Sequence, residues 1–188
     1  MADGHYRAPH CLDSSHRCNT YRGVETMLGI QAGEGRLYLC AIKGVSSNRI
    51  VGYDIDSRMK SRLAVVALHD AVSGRGGPAQ VAGCIVHSDR GSQFRSRKFQ
   101  RSPTRYQLLG SMGRVGAARD NAAMKSFFST VQKNVLNWGS WTIQDQLRAR
   151  LTYGIEAAYH RRRRQSRLGK LTPVEYETVH QQAVALAA

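Results

Sequence analysis

A chain of 188 residues with 28 Lys+Arg against 13 Asp+Glu carries a formal net charge of +15. A field of that sign draws polyanions and supplies the sequence-independent part of nucleic-acid affinity. The apolar fraction of 41% is too high for a disordered chain and sufficient for one domain with a core. No apolar run reaches the roughly 18 residues a membrane helix needs, and the N-terminus lacks the order of a signal peptide, so composition points to a soluble intracellular protein without a membrane partner.

Residues 1–23 show no hydrophobic period and read as a poorly ordered leader. Cys11 and Cys18 lie there beside His10 and His16, but their spacing is wider than that of structural-zinc pairs and no second pair follows. Arg36 to Ile42 is a continuous apolar run, predicted as a strand buried on both faces. Ser46-Ser47-Asn48 is turn chemistry, and Arg49 to Asp56 completes a hairpin. Ser57 is expected to cap a helix reaching Val72, with Met59, Leu63, Val66, Ala67 and Val72 on its apolar face. Val81 to His87, which includes Cys84, is predicted as a central strand. Cys40 and Cys84 read as buried small hydrophobes.

Ser92 to Gln100 is expected to form a short polar helix and Tyr106 to Leu109 a short strand, followed by the glycine-rich Gly110 to Gly116. Asp120 is the expected cap of a helix whose apolar side is Met124, Phe127, Phe128, Val131 and Val135. A further helix spans about Ile143 to Tyr159, with Thr142 and Asp145 in a capping-box pattern. Trp138 and Trp141 read as packing residues. Arg161, Arg162, Arg163 and Arg164 follow, then Arg167 and Lys170, and Thr172-Pro173-Val174-Glu175 opens a last helix. The order of elements predicts an α/β fold. Its expected divisions are a leader (1–23), a core (24–160) and a basic C-terminal extension with a short helix (161–188).

Asp89 sits after a predicted buried strand and before a glycine turn, a usual place for a metal-ligating carboxylate. Read alone, it serves equally well as a helix cap. The residues around it carry more. His87-Ser88-Asp89-Arg90-Gly91-Ser92-Gln93-Phe94 resembles the central signature of insertion-sequence transposases with a retroviral-integrase core. Asp120-Asn121-Ala122-Ala123-Met124-Lys125-Ser126-Phe127-Phe128 is similar to the family's second signature. Tyr159-His160-Arg161-Arg162-Arg163-Arg164, Leu168-Gly169 and Thr172 to Tyr176 are similar to its closing segment. The resemblance covers about residues 33–178, with wording nearest to actinobacterial members.

The resemblance implies a ribonuclease-H-like fold, a mixed sheet flanked by helices, acting on transposon ends and target DNA in the bacterial cytoplasm at the nucleoid, with homo-oligomers possible. It implies an Asp-Asp-Glu triad holding two magnesium or manganese ions, which clamp the attacking and leaving oxygens of a phosphodiester for strand cleavage and transfer. Two of those carboxylate positions depart from the family here. Lys125 stands in the slot of the glutamate, and an ammonium cannot ligate a cation. Counting back from Gly33-Glu34-Gly35 puts Thr26 in the slot of the first aspartate; only Asp89 is retained. Gly44 also stands where relatives often carry an aspartate, at a position not counted as catalytic. Glu25 neighbours Thr26 but occupies the other face of a strand. Asp54 and Asp56 share a strand face, and Asp54 is the candidate stand-in ligand.

The expectation is therefore a transposase core, degraded or truncated, that binds no metal tightly and is impaired in catalysis. Arg90, Arg161 to Arg164, Arg167 and Lys170 are its expected DNA-binding residues. The alternatives are an active enzyme with unorthodox ligands, a non-catalytic DNA-binding or oligomerising fragment, and an arginine-rich RNA binder.

Overall fold

The computed structural model describes residues 23–112 and 122–186. The expected leader, Cys11 and Cys18, most of the glycine-rich segment and the Asp120 cap lie outside the described residues. Three antiparallel strands open the fold: β1 (Gly23–Ala32), β2 (Gly35–Lys43) and β3 (Ile50–Asp56). Helix α1 (Ser61–Gly74) and one helical turn, α2 (Pro78–Val81), lead to β4 (Ile85–Ser88). Then come α3 (Arg97–Arg105), β5 (Leu109–Met112), α4 (Ala122–Asn134), α5 (Gln144–Tyr153) and α6 (Pro173–Leu186). The sheet order is β3-β2-β1-β4-β5, and β4 and β5 both run parallel to a neighbour. The expected α/β mixed sheet is thus the observed one.

Strand β2 is covered on both sides, and its two-residue alternation divides the core. Leu37, Leu39 and Ala41 pack with Met124, Phe127, Val131 and Val135 of α4 and with Leu147 and Leu151 of α5. Cys40 and Ile42 face the other way, onto Leu63, Ala64, Ala67, Leu68, Ala71 and Val72 of α1. Each buried leucine, isoleucine or phenylalanine contributes about 1.5–3 kcal/mol, so the two layers pin β2 from both sides. Gly52 lets α1 approach β3: a Cβ there would lie 2.4 Å from the carbonyl oxygen of Ala67 and from the amide nitrogen of Ala71. Any side chain at 52 would push the helix away.

Several local expectations are corrected by tertiary contacts. The residue preceding α1 is Lys60, without a side-chain cap, while the Ser57 hydroxyl turns back to Asp56. Met59 is exposed and does not join the apolar face of α1. The segment expected to begin a strand at Val81 is still helical there, and pairing starts at Ile85. The polar helix starts at Arg97, where Ser96 accepts from the amide of Phe99, and not at Ser92. Thr142 and Asp145 do not cap α5; the Gln144 amide donates to Glu34 on the β1–β2 turn instead. Trp138 is 78% exposed, its indole N–H held by the carbonyl of Lys133, so it is no packing residue; Trp141 does pack against the core.

Beyond α5 the chain winds through a wide turn of π type, Gly154–Tyr159, to the buried His160. His160 Nε2 accepts the amide of Ile50 at 3.1 Å, which assigns the ring proton to Nδ1, 3.2 Å from Glu156 Oε2. A tight loop follows, closed by a bridge between Gln165 and Leu171 and anchored by buried Leu168. The expected capping box forms at α6: the Glu175 amide donates to Thr172 Oγ1 at 3.2 Å, and the Thr172 amide donates to Glu175 Oε2 at 2.9 Å. One turn later the Glu177 carboxylate accepts from Ser47 Oγ at 2.7 Å and Arg49 at 2.7 Å, and from Arg75 beyond the end of α1.

Candidate functional site

Strand register decides which expected site positions meet. Val24 pairs with His87 and Glu25 with Ser88 across the parallel β1–β4 boundary. Positions 26 and 89 are therefore the next pair along that boundary, just past the end of β4. Thr26 pairs on its other side with Ala41, a member of the core face under α4 and α5. The C-terminal part of α4 lines a groove with Gly29 to Gly33 at the far end of β1. At 1.5 Å per helical residue and about 3.3 Å per strand residue, the first turn of α4, with Lys125, lies back toward position 26. The fold thus brings the positions of Thr26, Asp89 and Lys125 to one end of the sheet.

The local chemistry at that end is not that of a cation site. Asp89 is half-buried, and its Oδ1 accepts the amide of Gly91 at 2.7 Å, closing its own turn. A Cβ at 91 would lie 2.9 Å from that same Oδ1 and from Gln93 Oε1, so a side chain there would shift both. Lys125 is exposed in the first turn of α4, where the helix dipole favours an anion and disfavours an ammonium. A threonine hydroxyl brings no charge, so one carboxylate, one hydroxyl and one ammonium do not fit a hard divalent ion. Among the described residues, no group of three or more His, Cys, Asp or Glu is arranged to hold a metal. His87 shares this end; its Nδ1 is 3.1 Å from Ser111 Oγ on β5.

The suggested stand-in, Asp54, lies away from the site. Asp54 pairs with Cys40, on the α1 side of the sheet, and its Oδ1 accepts the amide of Ile55 at 3.0 Å. Burial raises its pKa, and Asp56 adds to the rise. Three inter-strand spacings, about 14 Å, separate β3 from β4, and the faces are opposite. Position 25 pairs with Ile42, also of the α1-side core.

The basic residues form two groups. Arg161, Arg162 and Arg163 are exposed where the α5 segment ends, and Arg167 and Lys170 are exposed on the loop closed by Gln165 and Leu171. Arg164 is tied down, donating to the carbonyl of Lys170 and to Glu175 Oε1. Arg90 is exposed beside Asp89. Lys43, which sequence reasoning passed over, ends β2 with only 4% exposure. Burial pulls its pKa down from 10.5 to about 8, and the charges of Arg167 and Arg163 push the same way. Sequence reasoning also missed Arg97, Arg101 and Arg105 on α3. The signal was available: from Arg90 to Arg119 the chain has eight basic residues and no acidic one.

Comparison with known proteins identifies the family and the fold. Residues 24–118 match the family described as the integrase core domain. Transposase InsF of insertion sequence IS3A from Escherichia coli (strain K12) is 34% identical over 148 residues, covering 79% of this chain and 50% of the relative. The 31 kDa protein of insertion element IS600 from Shigella sonnei is 38% identical over 161 residues, covering 85% of this chain and 58% of the relative. The chain thus spans about half the length of these curated relatives. Among solved structures, the HTLV-2 integrase catalytic core in complex with magnesium superposes with a TM-score of 0.61 at 13% identity, over 84% of this chain and 95% of that one. The catalytic core of BIV integrase gives 0.58 at 11% identity, over 86% and 99%. The fold is that of the retroviral integrase cores, and this chain belongs to the integrase core domain family of insertion-sequence transposases.

Proposed function

We propose that this chain is the core portion of an insertion-sequence transposase that engages DNA in transposition and integration, with its metal-dependent strand cleavage and transfer impaired. What supports the reading is the parallel β1–β4 register, which ends at Glu25 beside Ser88 and so puts positions 26 and 89 next along the same boundary. The family's three carboxylates fall on these positions and on position 125 by resemblance, and here they are Thr26, Asp89 and Lys125. What remains is a DNA-holding core acting in the bacterial cytoplasm, alone or beside an intact transposase. The HTLV-2 core occurs in trimeric and dimeric forms, and the same habit in this chain would let it enter a relative's assembly.

Isothermal titration with manganese tests the site. The parent chain is expected to take up no stoichiometric metal at micromolar concentration. Thr26→Asp with Lys125→Glu should raise the affinity at least about a hundredfold, and adding Asp89→Asn should remove the gain. Low-micromolar binding by the parent, abolished by Asp89→Asn alone, would refute the impairment. DNA engagement is tested on the same protein. Replacing Arg161, Arg162 and Arg163 with Ala should weaken binding to all duplexes alike and flatten the salt dependence by about 0.9 per lost phosphate contact. Equal binding by parent and variant at low salt would remove that surface from the reading.

A further inference from the structure

We infer that the solvent face of α3 is a second DNA-backbone surface, on which Arg97, Arg101 and Arg105 seat consecutive phosphates of one strand. The inference rests on the DNA-binding reading above and gives it a second surface, apart from the segment after α5.

Three observations support it. The first is placement. Arg97, Arg101 and Arg105 recur every four residues, so each lies about 40° round the helix from the last and about 6 Å along it. All three are exposed, while Phe99, Ser102 and Pro103 take the buried side. The stripe is about 12 Å long, the axial length of three to four nucleotides of one strand. Gln100 and Thr104 stand beside the arginines, and the five residues line a groove of about 430 Å³. Every member can donate a hydrogen bond, which is the chemistry a phosphate oxygen accepts.

The second observation is the cost of this arrangement without a ligand. Like charges four residues apart destabilise a helix by about 0.2–0.5 kcal/mol per pair. Opposite charges on the same helix would offset that, and α3 contains no Asp or Glu. The solvated faces of α5 and α6 differ: Asp145 accompanies Arg148 on α5, and Glu175 of α6 takes Arg164. The third observation is position. The helix follows the Asp89 turn and is fixed by the Ser96 cap and by packing on α1 and β5. DNA lying along α3 therefore passes the end of β4. Duplex DNA is favoured over a flexible single strand because the stripe is regularly spaced and carries no exposed aromatic platform within it.

The test uses the full chain and a 20-base-pair duplex of arbitrary sequence, with binding measured across a salt series. Arg97→Gln, Arg101→Gln and Arg105→Gln together are compared with a charge-matched control, Arg58→Gln, Lys60→Gln and Lys133→Gln, all exposed positions. Circular dichroism and the melting midpoint confirm that both are folded. The stripe variant is expected to lose at least tenfold in affinity at low salt and to flatten the log–log salt slope by about 2.7, or 0.9 for each of three contacts. The control should change the slope by less than about one. Arg101→Lys should retain more affinity than Arg101→Gln. Equal losses in the two triple variants would overturn the proposal, since net charge alone would then explain them. A slope unchanged in the stripe variant overturns it too, as does loss of structured-RNA binding with duplex binding intact. In each of those cases the parent still binds duplex, so the DNA-binding reading stands; absence of duplex binding by the parent at any salt overturns both.

Discussion

Two corners of this molecule use carboxylates in opposite ways. Just past the end of β4, Asp89 closes its own backbone turn, one residue beyond the last β1–β4 pair, Glu25 and Ser88. At the β2–β3 turn, Glu177 reaches from α6 to gather Ser47, Arg49 and Arg75, drawn from two other parts of the chain. Burial opposes ionisation of Glu177, yet the hydrogen bonds from Arg75, Ser47 and Arg49 hold its pKa below the ordinary value. Asp89 bonds within its own turn, whereas Glu177 ties α6 to two other segments. Replacing Asp89 is therefore expected to cost the fold less than replacing Glu177.

The largest expected effect sharpens that contrast. Glu177→Ala removes the carboxylate shared by Arg75, whose side chain is only 12% exposed, and Arg49. Breaking a buried pair in this way costs about 3–5 kcal/mol, a large part of a typical domain's 5–15 kcal/mol. Asp89→Ala removes one hydrogen bond to a turn and should cost at most about 1 kcal/mol. Urea unfolding of both variants measures the difference, and comparable losses would break the contrast.

Next in size is Lys43→Met. The folded pKa of Lys43 is about 8 and its ordinary value is 10.5. Between those values the unfolded chain binds more protons, so stability rises with pH across that window, and the cost of burying the charge is fully present below it. Removing the charge should stabilise the protein at pH 7 by roughly 1–3 kcal/mol and abolish the rise between pH 8 and 10. A variant less stable than the parent at pH 7 would show that Lys43 is held by contacts that outweigh its burial.

The smallest effect concerns His160. Burial lowers its pKa and Glu156 opposes the shift, while Nε2 must stay unprotonated to accept the Ile50 amide. With the folded value below the unfolded one of about 6.5, the unfolded chain takes up the proton first as the pH falls. Stability should drop by on the order of 1 kcal/mol between pH 7 and pH 5. His160→Gln, whose amide oxygen can accept the same N–H, should show a flatter profile in the same urea series. Identical profiles would assign the acid sensitivity to other groups.

Much of the fold was legible because its strands are buried. Arg36 to Ile42 and Val81 to His87 read as apolar runs, and Arg49 to Asp56 as the return strand of a hairpin. The Thr172–Glu175 capping box was legible because all its atoms lie within one turn. The α5 cap was not, since Glu34 supplies it from 110 residues away, beyond any local pattern. Trp138 failed as a packing residue for a related reason: a large apolar side chain carries no mark of whether the fold will place anything against it. In the site, the place of Asp89 just past a buried strand was legible from its neighbours, while the slots assigned to Thr26 and Lys125 rest on the resemblance alone. The α3 stripe was missed because its apolar residues were weighed and its missing acids were not.

The division of the sheet into two covered faces has a consequence during synthesis. The α1 side of β2 can be closed soon after β3 is made, because α1 follows its strands directly. The other side must wait for Leu147, Leu151, Ile155 and Tyr159, about a hundred residues after β3. At 5–20 residues per second that interval lasts roughly 5–20 s. Until α4 and α5 have both emerged, Leu37, Leu39 and Ile55 are incompletely covered on the nascent chain, and that surface is the one a chaperone, or a second unfinished copy, would meet first.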